Sequence, residues 1–476
     1  MNRPFRLVSR LVALLFLGLL AGVAGAAPAK VAAAADLRFA LAELAEQFRD
    51  DTGHAVSLSF GSSGTFAHQI EHGAPFELFL SADEAFVLRL ADAGRTVDRG
   101  VLYAIGRLVV FAPHGSPFEV DEELRGLGAA LADGRIERFA IANPEHAPYG
   151  RAARAALKHA GLWQAVEPRL ALGENASQAM QFASSGSSQG GIVPLSLSKA
   201  APVAALGRFA LIPTDWHAGE PLRQRMVLLR TAGRPRGPRP LRLRTAGRGA
   251  ALMDWPAIVL SAELALATLL VLLPLAVGVA RWLAVTSIRG KAWIEGLLAL
   301  PLVLPPTVLG YYLLVAMGSQ STFGRWFEAL LGHTLAFSFT GLVVASVIFN
   351  IPFAVQPIQR AFEGIAPDIR EAAQCCGLRF WQAFRKVELP LAWPGILSAA
   401  VMTFAHTLGE FGVVLMVGGN IPGETRTVAI SIYDRTQGFD HASAGAMSLL
   451  LLVISLVTIA ISYGLVDRLL RHRRLR

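Results

Sequence analysis

Residues 367–395 read PDIREAAQCCGLRFWQAFRKVELPLAWPG, a polar stretch set between two apolar blocks. Pro367 and Asp368 suit a helix start, Glu371 favours the positive end of a helix dipole, and Gly377 lets the chain turn after one short helix. Val387-Glu388-Leu389-Pro390 and Pro394-Gly395 then lead into the next apolar run. The product is a compact helix tied to a hydrophobic span, able to pass on a push from a soluble partner. An ordinary loop helix could share this composition, and what flanks it decides between the two.

Five flanking blocks are long enough to cross a bilayer core: about 257–280, 296–317, 335–355, 395–417 and 444–466. Arg281, Arg289 and Lys291 follow the first block, and Arg360, Arg370, Arg379, Arg385 and Lys386 follow the third. Arg468, Arg471, Arg473, Arg474 and Arg476 close the chain, whereas the alternate connections hold Arg325, Arg426 and Arg435. Basic residues collect on the cytoplasmic side, which puts residues 367–395 and the C-terminus in the cytoplasm. Pro301, Pro305 and Pro306 mark a broken helix, tolerable where it lines a cavity. His406 and Glu410 are costly in lipid, so they either face a subunit interface or pathway or satisfy an interhelical hydrogen bond.

Upstream of these blocks the text changes character. The whole chain of 476 residues is 53% hydrophobic and 17% charged, but that excess lies beyond Pro256; up to about Arg230 the pattern is that of a soluble α/β protein. Arg3, Arg6 and Arg10 precede the apolar run Leu11–Val23 and the small-x-small site Ala24-Gly25-Ala26, an export signal, cleaved or kept as an anchor. The net charge of +9 sits largely at the N-terminus, around the apolar blocks and in Thr231–Ala250, so membrane topology explains it and nucleic acid is not needed. Cys375 and Cys376 are adjacent, which suits neither a disulfide framework nor zinc, and no metal site is expected.

The exported half alternates strands and helices in two groups. The strand Val31–Ala35, the strand Val56–Phe60, Phe76–Leu80 and a strand through Leu108–Phe111 form a first lobe; Phe139–Ala142 and Gly191–Val193 belong to a second. Small and hydroxyl residues stand where helices begin, at Gly61-Ser62-Ser63-Gly64 and around Gly173-Glu174-Asn175. Converging helix N-termini can enclose an anion by hydrogen bonds alone, although turns and caps favour the same residues for their own sake.

Ala33-Ala34-Ala35-Asp36-Leu37, Phe60–Gly64, Phe79–Asp83, Asn143–Gly150 and Gly173–Ala176 together resemble the periplasmic molybdate-binding proteins over about residues 31–230. That resemblance implies an oxyanion held between lobes by Ala35, Asp36, Ser62, Ser63, Tyr149 and Ala176, with Ala35, Tyr149 and Ala176 acting mainly through their main chain. Pro194 stands where some members of the family place a tyrosine. The spacing of Glu371-Ala372-Ala373 and Gly377 resembles the coupling loop of ABC-importer permeases. Leu300–Pro306, Thr407–Gly412 and Asn420–Thr427 are similar to molybdate permeases in particular.

The implied architecture is a multidomain chain, a two-lobed α/β periplasmic-binding-protein fold followed by an all-α transmembrane ABC-importer permease of about five spans. Its expected parts are a signal peptide (1–26), an oxyanion-binding domain (27–230), a basic Pro/Gly-rich linker (231–252) and the permease (253–476). No G-x-x-x-x-G-K-[ST] loop occurs, so ATP is expected on a separate cytoplasmic ABC ATPase, with no cofactor in this chain and no catalytic set. The resemblance further implies a permease homodimer in inner-membrane lipid, a periplasmic binding domain and molybdate or tungstate as ligand. The alternatives are a sulfate or thiosulfate importer and a membrane-anchored oxyanion sensor; residues 371–390 argue against the sensor, which needs no ATPase dock. The Arg-rich linker, where relatives continue with a closing helical segment, reads as a joint between two neighbouring genes made by a shift of reading frame.

Overall fold

The computed structural model describes residues 28–231 and 252–474. The expected signal lies outside them, as does the linker apart from its end residues. The chain divides into two compact units, one built on two sheets and one on long apolar helices.

In the first unit, β1 (Ala29–Ala34) is flanked by β2 (Val56–Gly61) and β3 (Leu78–Ser81), both parallel to it. The helices α1 (Arg38–Thr52), α2 (Ser63–Glu71) and α3 (Glu84–Asp92) supply the crossovers and flanks that parallel strands require. Asp83 starts α3 by accepting the Ala85 N–H at 2.9 Å. The sheet is completed by β4 (Val101–Ile105) and by β10 (Arg223–Leu228), in the order β2-β1-β3-β10-β4, with β10 antiparallel to both neighbours.

The second sheet has the order β7-β6-β8-β5-β9. Its strands are β5 (Leu108–Pro113), β6 (Phe139–Ala142), β7 (Leu170–Gly173), β8 (Gly191–Pro194) and β9 (Gly207–Leu211), flanked by α4 (Arg125–Ala132), α5 (Pro148–His159) and α6 (Ala176–Ser184). The strand through Leu108–Phe111, expected in the first lobe, therefore belongs to the second. It pairs antiparallel with β8 and β9, and only Gly106 and Arg107 separate it from β4. A fully buried apolar run suits the middle of either sheet, and its non-local partners choose which.

At this crossing the Gly106 N–H donates to the Leu222 carbonyl at 2.8 Å, so the two strands that pass between lobes are tied together. A Cβ on Gly106 would lie 2.5 Å from the Tyr149 hydroxyl and 2.9 Å from Leu222 Cβ, which explains why no side chain stands there.

In the second unit, α7 (Trp255–Val285), α11 (Phe339–Glu363) and α13 (Leu389–Gly409) pack along their lengths. Leu272, Ala276, Ala280 and Leu283 of α7 meet Ala354, Val355, Ile358 and Phe362 of α11 and Ala392, Ile396 and Ala399 of α13. The three- and four-residue spacings put each set on one helix face, and the alanines let the backbones approach closely. Between α7 and α11 lie α8 (Lys291–Val303), α9 (Pro306–Met317) and α10 (Thr322–Leu331); α12 (Pro367–Cys375), α14 (Gly412–Gly418), α15 (Val428–Gln437) and α16 (His441–Arg474) complete the unit.

Among the described residues, four helices are long and apolar enough to cross a membrane, or five if α8 and α9, bent by 105° at Leu304 and Pro305, count as one span. The break expected at the prolines is thus present. The fourth span differs from the expected 395–417, since a continuous helix runs from Phe380 to Gly409. Glu410 ends it and caps α14, its Oε1 accepting the Val413 N–H at 2.9 Å. That carboxylate holds a helix start, which an apolar-window reading passes over. His406 on α13 meets Asn350 Oδ1 on α11 at 3.1 Å and stacks on Phe353.

Candidate functional site

A small cleft in the first unit is lined by Ala34, Ala35, Asp36, Gly61, Ser62, Ser63, Ala82, Ala147, Pro148, Tyr149 and Ala176. All six residues named from sequence are brought together. Asp36 follows β1, Ser63 begins α2, Tyr149 is the second residue of α5, and Ala176 begins α6 behind its N-cap Asn175. N–H groups in a first helical turn have no acceptor within their own helix, so three helix starts contribute donors to one space.

The hydroxyls differ in what they have left to give. Ser63 Oγ accepts the Ala82 N–H at 2.9 Å, which leaves its own proton to donate elsewhere. Ser62 Oγ donates to the His146 carbonyl at 2.5 Å and so spends its proton on a bond between lobes. Further bonds close the lobes: Ser177 Oγ to the Ala35 carbonyl at 3.0 Å, Ser196 Oγ to the Asp36 carbonyl at 2.8 Å, and an ion pair between Arg151 and Asp83. With the Ala35 and Asp36 main-chain carbonyls engaged, two acceptors are withdrawn from the cleft.

Asp36 is 3% exposed. Its Oδ2 accepts from the Tyr149 hydroxyl at 3.0 Å and from Gln224 Nε2 at 2.7 Å, while Oδ1 has no hydrogen-bond partner among the described residues. Burial pushes its carboxyl above the ordinary value, against the pull of the Gln224 and Tyr149 hydrogen bonds. Burial likewise pushes up the phenols of Tyr149 and Tyr103, each helped by Asp36. Tyr149 thus directs its hydroxyl at Asp36. Gln224, Tyr103, Ser177 and Ser196 were not singled out from sequence. For Gln224 a signal existed, an uncharged polar residue between Arg223 and Arg225 at the inward phase of a strand, but strand phase alone does not name its partner.

The second candidate region is α12. Pro367 is its first residue, Glu371 and Ala372 are exposed, Ala373 is buried, and Gly377 follows at φ +74°, a turn that a β-branched residue adopts only with strain. Arg370 Nη2 donates to the Phe362 carbonyl at the end of α11 at 2.6 Å. Arg281 of α7 grips Glu388 through Nε at 2.7 Å and Nη2 at 2.9 Å and lies over the Phe380 ring at 4.4 Å. The segment is therefore fastened to two long helices while its outer face stays free.

Residues 29–241 match the family of bacterial extracellular solute-binding proteins, and residues 272–475 the binding-protein-dependent transport system inner membrane component family. The molybdenum transport system permease protein ModB of Azotobacter vinelandii is 51% identical over 191 residues, 40% of this chain and 84% of that protein. The molybdate-binding protein ModA of the same organism is 40% identical over 223 residues, 47% of this chain and 85% of that protein. A sulfate transport system permease of Escherichia coli is 33% identical over 168 residues, 35% of this chain and 60% of that protein. Two lobes around a donor-lined cleft and a helical unit with a fastened, exposed short helix, matched in chain order to these proteins, place the chain in the binding-protein-dependent transporter family, as a solute-binding protein joined to an inner-membrane permease.

Proposed function

We propose that this chain imports molybdate or tungstate as the fused binding and permease component of an ABC importer. The carrying observation is that one polypeptide aligns with most of a molybdate-binding protein and, further on, with most of a molybdenum permease. The cleft supports the reading: Ser63 and the first-turn N–H groups at Ser63, Tyr149 and Ala176 would hold a tetrahedral dianion, which offers only acceptors. Ala35, Asp36 and Ser62 would complete the wall. Ligand is captured outside, and α12, through Glu371, Ala372, Ala373 and Gly377, receives the stroke of a separate ATPase that binds the ATP. The expected domain limits, a permease homodimer, a cytoplasmic C-terminus and a lipid surface formed by exposed Leu266, Leu270 and Leu275 belong to the same proposal.

The test is ATP-dependent uptake of labelled molybdate by vesicles holding the full chain and its ATPase, with tungstate, sulfate and phosphate as competitors. Competition by tungstate alone is expected. A protonated phosphate brings a donor into a set of donors, at a cost of about 1–3 kcal/mol for the unpaired group. Competition by sulfate at equal concentration would turn the reading to a sulfate importer.

A further inference from the structure

Asp36 is an anomaly in a cleft proposed to hold a dianion. An ionised carboxylate in that wall would repel the ligand in a low-dielectric space. Among the described residues no cationic side chain pairs with it, and its influences are its own N–H, Gln224 from β10 and the phenols of Tyr149 on α5 and Tyr103 on β4. Its two oxygens are also unequal. Oδ2 faces two donors, Tyr149 and Gln224, whereas Oδ1 is buried and faces none. A proton on Oδ1 turns Oδ2 into the carbonyl oxygen that those donors require and makes Oδ1 a donor like the rest of the wall.

We propose that Asp36 closes on the ligand as the neutral acid, so that each oxyanion is captured together with one proton, held on Oδ1 and shared with a ligand oxygen. The proposal rests on the oxyanion-binding reading above. Tyr149 comes from the other lobe, so opening removes one of its two side-chain donors and admits water, and Asp36 then ionises in the ordinary carboxylate range. Closure expels that water and draws a proton from solution. Bond accounting is simple: solvent supplies H⁺, an O–H bond forms on Oδ1, and release of the anion returns the proton.

The direction of the pH effect follows from linkage. A group whose affinity for protons rises on binding makes the ligand bind best below its open-state value, and affinity falls as pH rises towards the closed-state value. Molybdate stays fully deprotonated at neutral pH and above, so the ligand does not add to the slope there.

The experiment is titration calorimetry of the full chain in detergent with sodium molybdate, from about pH 6.5 to about pH 8.5, in two buffers of different ionisation heat. Wild type is expected to take up protons on binding, at most one per molybdate, and to lose affinity as pH rises, by at most about tenfold per pH unit. Asp36→Asn keeps a donor but cannot titrate, and is expected to bind with a flat pH profile and no proton uptake. Asp36→Ser serves as a second non-titrating donor if the amide fails to fold, and the wild-type proton count stands alone if both fail. Molybdate binding with no proton exchange in wild type, or an equal slope in Asp36→Asn, overturns this inference and leaves the transport reading intact. No molybdate binding at any pH removes both.

Discussion

Asp36 and Glu388 are both buried acids, 3% and 4% exposed, and the two units treat them in opposite ways. Glu388 is clasped by both arms of the Arg281 guanidinium, which is itself roofed by an aromatic ring. Asp36 receives a phenol and an amide and, among the described residues, no cation. A fixed countercharge suits the joint proposed to receive the ATPase stroke, because the pair holds its geometry under load. A place that must welcome and then release a charge is better served by dipoles, which favour an incoming anion without filling its seat.

The sharpest way to break this comparison is at α12. Glu371→Lys and Gly377→Val should each abolish ATP-driven molybdate uptake in vesicles while molybdate binding by the same chain persists. The first reverses charge in the helix and the second forces a β-branched residue into φ +74°. Transport at the wild-type rate by both would place the ATPase dock elsewhere.

The next effect concerns stability. Arg281→Met leaves Glu388 buried without its partner and should cost about 3–5 kcal/mol, read as a fall in the thermal unfolding midpoint in detergent. Arg281→Met combined with Glu388→Leu should recover most of that loss. If the double variant is no better than the single, the ion pair is not what holds the joint.

Smaller effects separate the two serines. Ser63→Ala removes a hydroxyl whose proton is uncommitted and should weaken molybdate binding by about 1.5–3 kcal/mol in calorimetry. Ser62→Ala loses a neutral bond between lobes and should cost about 0.5–1.5 kcal/mol, shared equally by every oxyanion the cleft accepts. A Ser62 variant that altered the preference among oxyanions would mean that its hydroxyl turns to the ligand.

Periodicity and turn chemistry made much of this legible. The helix start at Pro367, the turn at Gly377 and the proline break at 304–305 follow from backbone rules that act within a few residues, so sequence shows them directly. The gathering of Ala35, Asp36, Ser62, Ser63, Tyr149 and Ala176 came from resemblance, because residues over a hundred positions apart are joined by topology. What stayed hidden was the choice between equivalent partners. β5 could enter either sheet, Gln224 could face either way, and Glu410 reads as a charge in a span until the cap it makes is seen. Each is settled by a contact distant in sequence or by a side chain bonding to a backbone group a few residues on, and neither enters a hydropathy pattern.

The route of β10 has a consequence for how the first unit comes to be folded. The second sheet is drawn from one uninterrupted stretch, Leu108 to Leu211, but the first cannot insert its fourth neighbour between β3 and β4 until residues 223–228 arrive. As the chain folds, the later-starting lobe can therefore mature as a local piece while the earlier one waits, β3 and β4 separated by a gap one strand wide. Such long-range pairing is slow and leaves open edges in the meantime. The final strand acts as a zipper pull, and the anion cleft, which needs both lobes, exists only after it has been drawn home.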